Sequence, residues 1–302
     1  MSKKDCENAL PHPTQNPKSK IQNPKSPWQP PPCLEVRDLW FEYDDGPAAL
    51  RGLSLQIAEG ELVAFIGQNG SGKTTLAKHF NGLLRPTRGQ VWLHGQTIDD
   101  RPVSHLAHSV GYVFQNPDHQ IFNPTVREEI AVGPRNLGLS EAEVAQRVAE
   151  AMAALDLEPY ADRQPAILSF GLRRKVSLAA VLAMRTPILI LDEPTAGLDR
   201  KSTTELMTQI QARHQQGQTI ILITHDMGLV AEYVPRCLIL QAGQLLAQGS
   251  PRQIFRLVDL LQQTDLDLPQ ITALARRLAP YGLPEDILTV AEFCRIYLEQ
   301  VK

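Results

Sequence analysis

Residues 67–74 read Gly67-Gln68-Asn69-Gly70-Ser71-Gly72-Lys73-Thr74, a fit to G-x-x-x-x-G-K-[ST], the phosphate-binding loop. Before it lies Leu62-Val63-Ala64-Phe65-Ile66, a short apolar run that reads as a buried strand. After it, Thr75-Leu76-Ala77-Lys78-His79-Phe80 reads as a helix. Strand, glycine loop and helix together form the setting the motif needs. Glycines let the chain bend tightly and bring backbone N–H groups against an anion with no Cβ in the way. The helix that follows aims its free N–H groups and positive dipole end at the same point. Lys73 is expected to reach the β- and γ-phosphates of a bound nucleoside triphosphate, and the Thr74 hydroxyl to ligate Mg²⁺. Thr75 continues the phosphate-facing run.

A second element of chemistry sits far along the chain. Ile188-Leu189-Ile190-Leu191-Asp192-Glu193 is an apolar strand ending in two acids. A strand carboxylate beside a phosphate loop is where loop-type NTPases hold Mg²⁺. Asp192 is the candidate for that role, through water. Glu193 then stands where it can polarise an attacking water, a form of general-base help worth about 10²–10⁴-fold in rate.

The organisation around these motifs is that of an α/β protein. Strands are predicted at 34–41, 53–57, 62–66, 91–93, 110–114, 188–191, 219–223, 237–241 and 244–248. Helices are predicted at about 125–136, 141–154, 169–184 and 201–216. Strands alternating with helices imply a largely parallel sheet. The strands ahead of the loop look antiparallel and hairpin-like, and the block 116–185 is mostly helical, as an inserted helical subdomain would be. Residues 251–302 form a C-terminal helical extension, in which Pro269 and Pro284 suit first helical turns. Thr289-Val290-Ala291-Glu292 fits a capping box ahead of an amphipathic face made by Phe293, Ile296, Tyr297 and Val301. That face can pack on its own domain or against a second subunit.

Residues 1–32 hold eight prolines and five lysines with almost no aliphatic residue, and Gln-Asn-Pro-Lys-Ser occurs there twice. Such a segment buries too little apolar surface to offset its ordering entropy, so it is expected to be disordered. A net charge of −3 across 302 residues argues against a nucleic-acid surface. No apolar stretch approaches the ~18 residues of a membrane span. The four cysteines, Cys6, Cys33, Cys237 and Cys294, are scattered, which speaks against a disulfide framework or zinc site. With no apolar core of a signal peptide at the N-terminus, a cytosolic location is expected.

Residues 34–250 resemble an ABC transporter ATP-binding subunit. Residues 67–74 match the Walker A loop, and Ile188–Asp192 with Glu193 match Walker B. Ala196-Gly197-Leu198-Asp199 resembles the D-loop, Val113-Phe114-Gln115-Asn116-Pro117 the Q-loop, and Ile223-Thr224-His225-Asp226 the switch-histidine region. The resemblance implies a P-loop NTPase fold of ABC type, with ATP and Mg²⁺ bound between two subunits. It implies that Tyr43 stacks on adenine, that Gln115 offers its carbonyl to Mg²⁺ and its amide to water, and that His225 orients Glu193 and bonds the γ-phosphate. Asp199 is implied at the nucleotide interface. The signature segment departs from the family's Leu-Ser-Gly-Gly-Gln, reading Leu168-Ser169-Phe170-Gly171-Leu172. Ser169 and the Gly171 amide, expected to touch the partner's ATP, are retained. Loss of the glutamine removes a hydrogen bond, typically about 0.5–1.5 kcal/mol, so a slower partner site is expected.

A finer similarity, to energy-coupling factor ATPases, rests on Phe114–Phe122, Thr125–Ala131, Leu178–Met184 and Thr264–Pro269. It implies a subunit on the cytoplasmic face of the membrane that powers import of vitamins or transition-metal ions. Its partners would be a second ATPase subunit, identical or paralogous, a transmembrane coupling subunit and a separate substrate-binding membrane protein. The extension at 251–302 would help dimerise. Two alternatives stand beside this: a soluble ABC-type ATPase unconnected with transport, and a subunit that chiefly scaffolds a heterodimer and senses nucleotide.

Overall fold

The computed structural model describes residues 32–44 and 46–300. The expected disordered tail lies outside these residues except for Pro32, which opens a strand opposite Ala58. A proline at the first position of a strand costs no ladder bond the strand needs.

Among the described residues ten strands form two sheets. They are β1 (Pro32–Phe41), β2 (Leu50–Ala58), β3 (Leu62–Ile66), β4 (Arg88–Leu93), β5 (Gln96–Thr97), β6 (Val110–Val113), β7 (Ile188–Asp192), β8 (Thr219–Ile223), β9 (Arg236–Gln241) and β10 (Gln244–Gly249). One sheet is antiparallel, in order β2-β1-β4-β5. The other runs β10-β9-β3-β8-β7-β6, parallel throughout except for the terminal β9–β10 hairpin.

The uninterrupted apolar runs of β3, β7 and β8 follow from burial on both faces, as in parallel sheets generally. Alternate residues go to opposite layers. Val63, Phe65, Ile188, Ile190, Ile221 and Ile223 face a core shared with the antiparallel sheet and the first helix, α1 (Lys73–Phe80). Leu62, Ala64, Ile66, Leu189, Leu191, Ile220 and Leu222 face the other layer. That layer is helical. It takes residues from α3 (Val126–Asn136), α4 (Glu141–Ala154), α5 (Phe170–Leu182), α6 (Arg200–Gln215) and α7 (Met227–Tyr233). A short α2 (Val103–Leu106) stands beside β6.

Helix ends obey local chemistry. Ser140 and Glu143 close a reciprocal capping box on α4, and Thr125, Ser169, Asp199 and Asp226 cap α3, α5, α6 and α7 with their side chains. The extension folds as α8 (Pro251–Phe255), α9 (Val258–Gln263), α10 (Gln270–Leu278) and α11 (Val290–Gln300). Pro269 precedes the first turn of α10, as expected. Pro284 does not start a helix: residues 283–289 are irregular, and Arg252 and Arg256 tie this stretch down through Asp286. The box at 289–292 is half made. Thr289 accepts from the Glu292 N–H at 3.1 Å, but Glu292 turns its carboxylate to the Leu288 N–H and to Arg252.

Phe293 and Ile296 pack on the extension's own small core of Ala275, Leu283 and Ile287, while Tyr297 stays half exposed. Val301 lies outside the described residues. Cys33, Cys237 and Cys294 are free thiols. Among the described residues no helix is long and apolar enough to cross a membrane.

Candidate nucleotide site

The loop between β3 and α1 is shaped by its glycines. Gly67 has a φ of 148°, and a Cβ on it would lie 2.2 Å from the Leu240 carbonyl oxygen. Gly72 is left-handed at φ 101° and precedes α1 with no side-chain cap. No acidic residue occupies the first turn of α1. The helix start is therefore open to an outside anion. Lys73 is buried and bends back over the loop, donating to the carbonyls of Gly67 and Gln68 at 2.7 Å each and to Ser71 Oγ at 3.3 Å. Burial lowers the ammonium's pKa, and the carboxylates of Glu193 and Asp192 oppose that.

The end of β7 reaches the same place. Thr74 Oγ1 donates to Asp192 Oδ2 at 2.8 Å, and the Tyr112 hydroxyl donates to the same oxygen at 3.0 Å. Asp192 is pushed above the usual carboxylate range by burial, against the pull of the Thr74 and Tyr112 hydroxyls, Lys73 and Arg174. Burial beside Asp192 raises the Tyr112 phenol as well. A hydroxyl and a carboxylate sharing one hydrogen bond are hard oxygen donors, a set that suits Mg²⁺ completed by substrate phosphates and water. Next along, Glu193 has a left-handed φ of 48° and is buried. Its Oε1 lies 2.7 Å from His225 Nδ1, on the loop after β8, and the imidazole is largely solvent-exposed.

The remaining predicted residues sit around this centre. Tyr43 is half exposed, with its hydroxyl 3.1 Å from Thr75 Oγ1 and its ring edge-on to Phe41 at 4.8 Å. Gln68 bonds through its side chain to Asp265 of the extension, while Asn69 and Gly70 are exposed. Gln115 follows β6 with its side chain exposed and without a hydrogen bond among the described residues. Its main-chain carbonyl is held instead, by Arg174 at 2.6 Å. Ser169 and Gly171 lie at the exposed start of α5, where Ser169 Oγ accepts from the Leu172 N–H. Asp199 caps α6 by accepting from the Ser202 N–H at 2.7 Å, which lowers its carboxyl pKa.

Three residues at the site were not signalled by sequence. Tyr112 reads as one more apolar strand residue. Arg174 sits in the charge run Arg173-Arg174-Lys175 and reads as solvated. Asp265 lies in the extension. Nothing in the local pattern tells which member of that charge run turns inward.

Comparison with known proteins shows which family the chain is similar to. Residues 50–196 match the ABC transporter family. The chain is 42% identical over 243 residues to the energy-coupling factor transporter ATP-binding protein EcfA of Methanocaldococcus jannaschii, covering 80% of this chain and 87% of that one. It is 45% identical over 245 residues to a putative ABC transporter ATP-binding protein of Caldanaerobacter subterraneus subsp. tengcongensis. That match covers 81% of this chain but only 43% of the relative's length. Among solved structures it is similar to CbiO1 of Clostridium perfringens, described as part of the ABC transporter complex CbiONQ. The TM-score is 0.67 at 36% identity, over 80% of this chain and 98% of that one.

Proposed function

This chain belongs to the ABC transporter ATP-binding family, and on that premise we propose that it is the ATPase subunit of an energy-coupling factor type importer of vitamins or transition-metal ions. One observation carries the catalytic part: the 2.7 Å contact of His225 with Glu193, directly beside the phosphate loop and Asp192.

ATP lies with its phosphates along residues 67–75 and its adenine on Tyr43. Lys73 turns from the loop carbonyls to the β- and γ-phosphates. Thr74 and Asp192, with Gln115, would hold Mg²⁺, which supplies charge neutralisation on the phosphates when bound. Glu193 accepts a proton from the attacking water as its oxygen bonds to the γ-phosphorus, and ADP leaves with the electrons of the broken P–O bond. His225 fixes the carboxylate through Nδ1. That leaves its other ring nitrogen, Nε2, for the γ-phosphate. Ser169 and Gly171 complete the site of a second ATPase subunit, beside its own Asp199 region, and the extension at 251–302 supports that pairing.

A groove of about 770 Å³ opens between β6, α2, α3 and α5. Its walls include Leu83, Val103, Tyr112, Phe114, Phe122 and Met184, and Phe122 is exposed at 75%. An apolar groove next to Gln115 suits the transmembrane coupling subunit, which would hold this protein on the cytoplasmic membrane face while a separate membrane protein binds the cargo.

The test is Glu193→Gln. ATP binding is expected to persist while turnover stops. Normal hydrolysis by that variant would remove the base assignment. Purification from membranes with an intact coupling subunit tests the transport assignment, and a chain that never co-purifies with membrane protein favours a soluble ATPase. The altered signature supports one other reading, a subunit that mainly scaffolds a heterodimer. Hydrolysis by the chain alone, measured against the chain with its ATPase partner, separates the two.

A further inference from the structure

Arg174 lies on α5, five residues after the Ser169 cap, and is fully buried. No ion pair joins it to a carboxylate among the described residues. Its two Nη groups donate to main-chain carbonyls from two separate segments, while Nε is buried without a hydrogen-bond partner among the described residues. Nη1 donates to Phe114 at 2.7 Å and to Gln115 at 2.6 Å, at the end of β6. Nη2 donates to Glu193 and, at 3.5 Å, to Asp192, at the end of β7. A guanidinium is a planar fork, so these carbonyls are fixed relative to one another and not merely solvated. Burial lowers the guanidinium's pKa, and the nearby charges of Asp192 and Glu193 oppose that.

The grip falls on an unusual residue. Glu193 carries a Cβ in the left-handed region, at φ 48°, a conformation disfavoured by its own sterics. Such a residue persists only where its surroundings over-determine it. Here four contacts do so. The Glu193 N–H donates to the Ile223 carbonyl at 2.9 Å, His225 holds the carboxylate, and the Glu193 carbonyl accepts from Arg174 and, at 3.2 Å, from the Ala196 N–H of the turn that follows. The Ile223 contact belongs to the sheet. The Arg174 contact is the one that ties Glu193 to the loop after β6, whose Phe114 lines the apolar groove.

We propose that Arg174 is a positioning residue for hydrolysis: it clasps the Gln115 and Glu193 carbonyls together and so makes the aim of Glu193 depend on where the loop after β6 sits. The inference rests on the reading of Glu193 as general base. It gives groove occupancy a physical route to the catalytic carboxylate, through the Arg174 guanidinium and the main-chain carbonyls it holds at either end.

The experiment measures steady-state ATP hydrolysis by the full-length protein carrying Arg174→Met or Arg174→Lys, each also in a Glu193→Gln background. Thermal melts confirm folding at the assay temperature. Arg174→Met is expected to lose about 10²-fold in kcat, the scale of a misplaced catalytic group, with KM for ATP unchanged. Arg174→Lys should recover part of that loss, because an ammonium reaches fewer of the carbonyls at once. In the Glu193→Gln background neither change should lower the residual rate further.

Wild-type kcat in Arg174→Met, or equal fractional losses with and without Glu193, would overturn the proposal. If Arg174→Met does not fold, Arg174→Lys carries the same two readouts: a partial loss of kcat that vanishes in the Glu193→Gln background is expected, and wild-type kcat or equal fractional losses overturn the proposal. Normal hydrolysis by Glu193→Gln alone would instead overturn the base assignment, whatever the Arg174 variants do.

Discussion

The Thr74 hydroxyl donates a 2.8 Å hydrogen bond to Oδ2 of Asp192, 118 residues away in the chain. The bond joins the first turn of α1 to the end of β7, so the phosphate loop and the strand acids form one site. If these two oxygens hold Mg²⁺, Thr74→Ala should weaken Mg²⁺-dependent ATP binding by about 10–100-fold, the usual scale for damage to a metal site. ATP titration at stepped magnesium concentrations reads this directly. Equal affinity in both proteins would separate Thr74 from the metal.

Asp192 also makes a stability prediction. Its folded pKa is raised by burial above the ordinary 3.8. The native state therefore holds the protonated acid better than the unfolded chain does. Ionising it costs stability as pH rises above the unfolded value, and the cost is absent below that value. Asp192→Asn, which mimics the protonated form, should raise the melting temperature near neutral pH while removing activity. The gain should shrink as pH falls toward 3.8. A variant that melts lower at neutral pH would contradict this.

The signature segment carries a third prediction. The Phe170 ring lies over Gly197, where a Cβ would sit 2.7 Å from the ring edge. Leu172 is half buried against the helical core. Neither side chain supplies the hydrogen bond of a glutamine to a neighbouring subunit's nucleotide. Leu172→Gln with Phe170→Gly should raise ATP hydrolysis of the assembled dimer by about two- to tenfold, matching the 0.5–1.5 kcal/mol of one hydrogen bond. An unchanged rate sinks the idea that this segment limits turnover.

Tyr43 gives a fourth. Its ring is half exposed above the loop. Tyr43→Ala should raise KM for ATP by about three- to tenfold, the value of one aromatic stacking contact, with little change in kcat. Tyr43→Phe keeps the ring and should stay near wild type. Should the two variants behave alike, the hydroxyl bond to Thr75 would be the part that matters.

The β3 strand, the loop at 67–74 and the strand acids were legible because each is a local pattern. An all-apolar run of five residues must be covered on both faces, and glycines at fixed spacing leave one backbone geometry. The strands at 62–66 and 219–223 and the helix at 141–154 appear with the expected bounds. Pro284 misled because its own geometry permits a helical turn, while the Arg252 and Arg256 contacts to Asp286 that shape the stretch come from 30 or more residues away. The sequence marks Gln115, but its side chain makes no hydrogen bond among the described residues, and its carbonyl is the group the fold uses.

Residue type and spacing alone therefore determined the phosphate loop, the acidic strand end and the parallel α/β architecture, since backbone sterics and hydrophobic periodicity act over a few residues. Only the tertiary structure decided that Tyr112 and Thr74 share one oxygen of Asp192, and that Arg174 alone of its charge run turns inward. It also placed the extension's Asp265 against the loop's Gln68. These depend on burial and on donors meeting acceptors across the fold, which no local window of sequence contains.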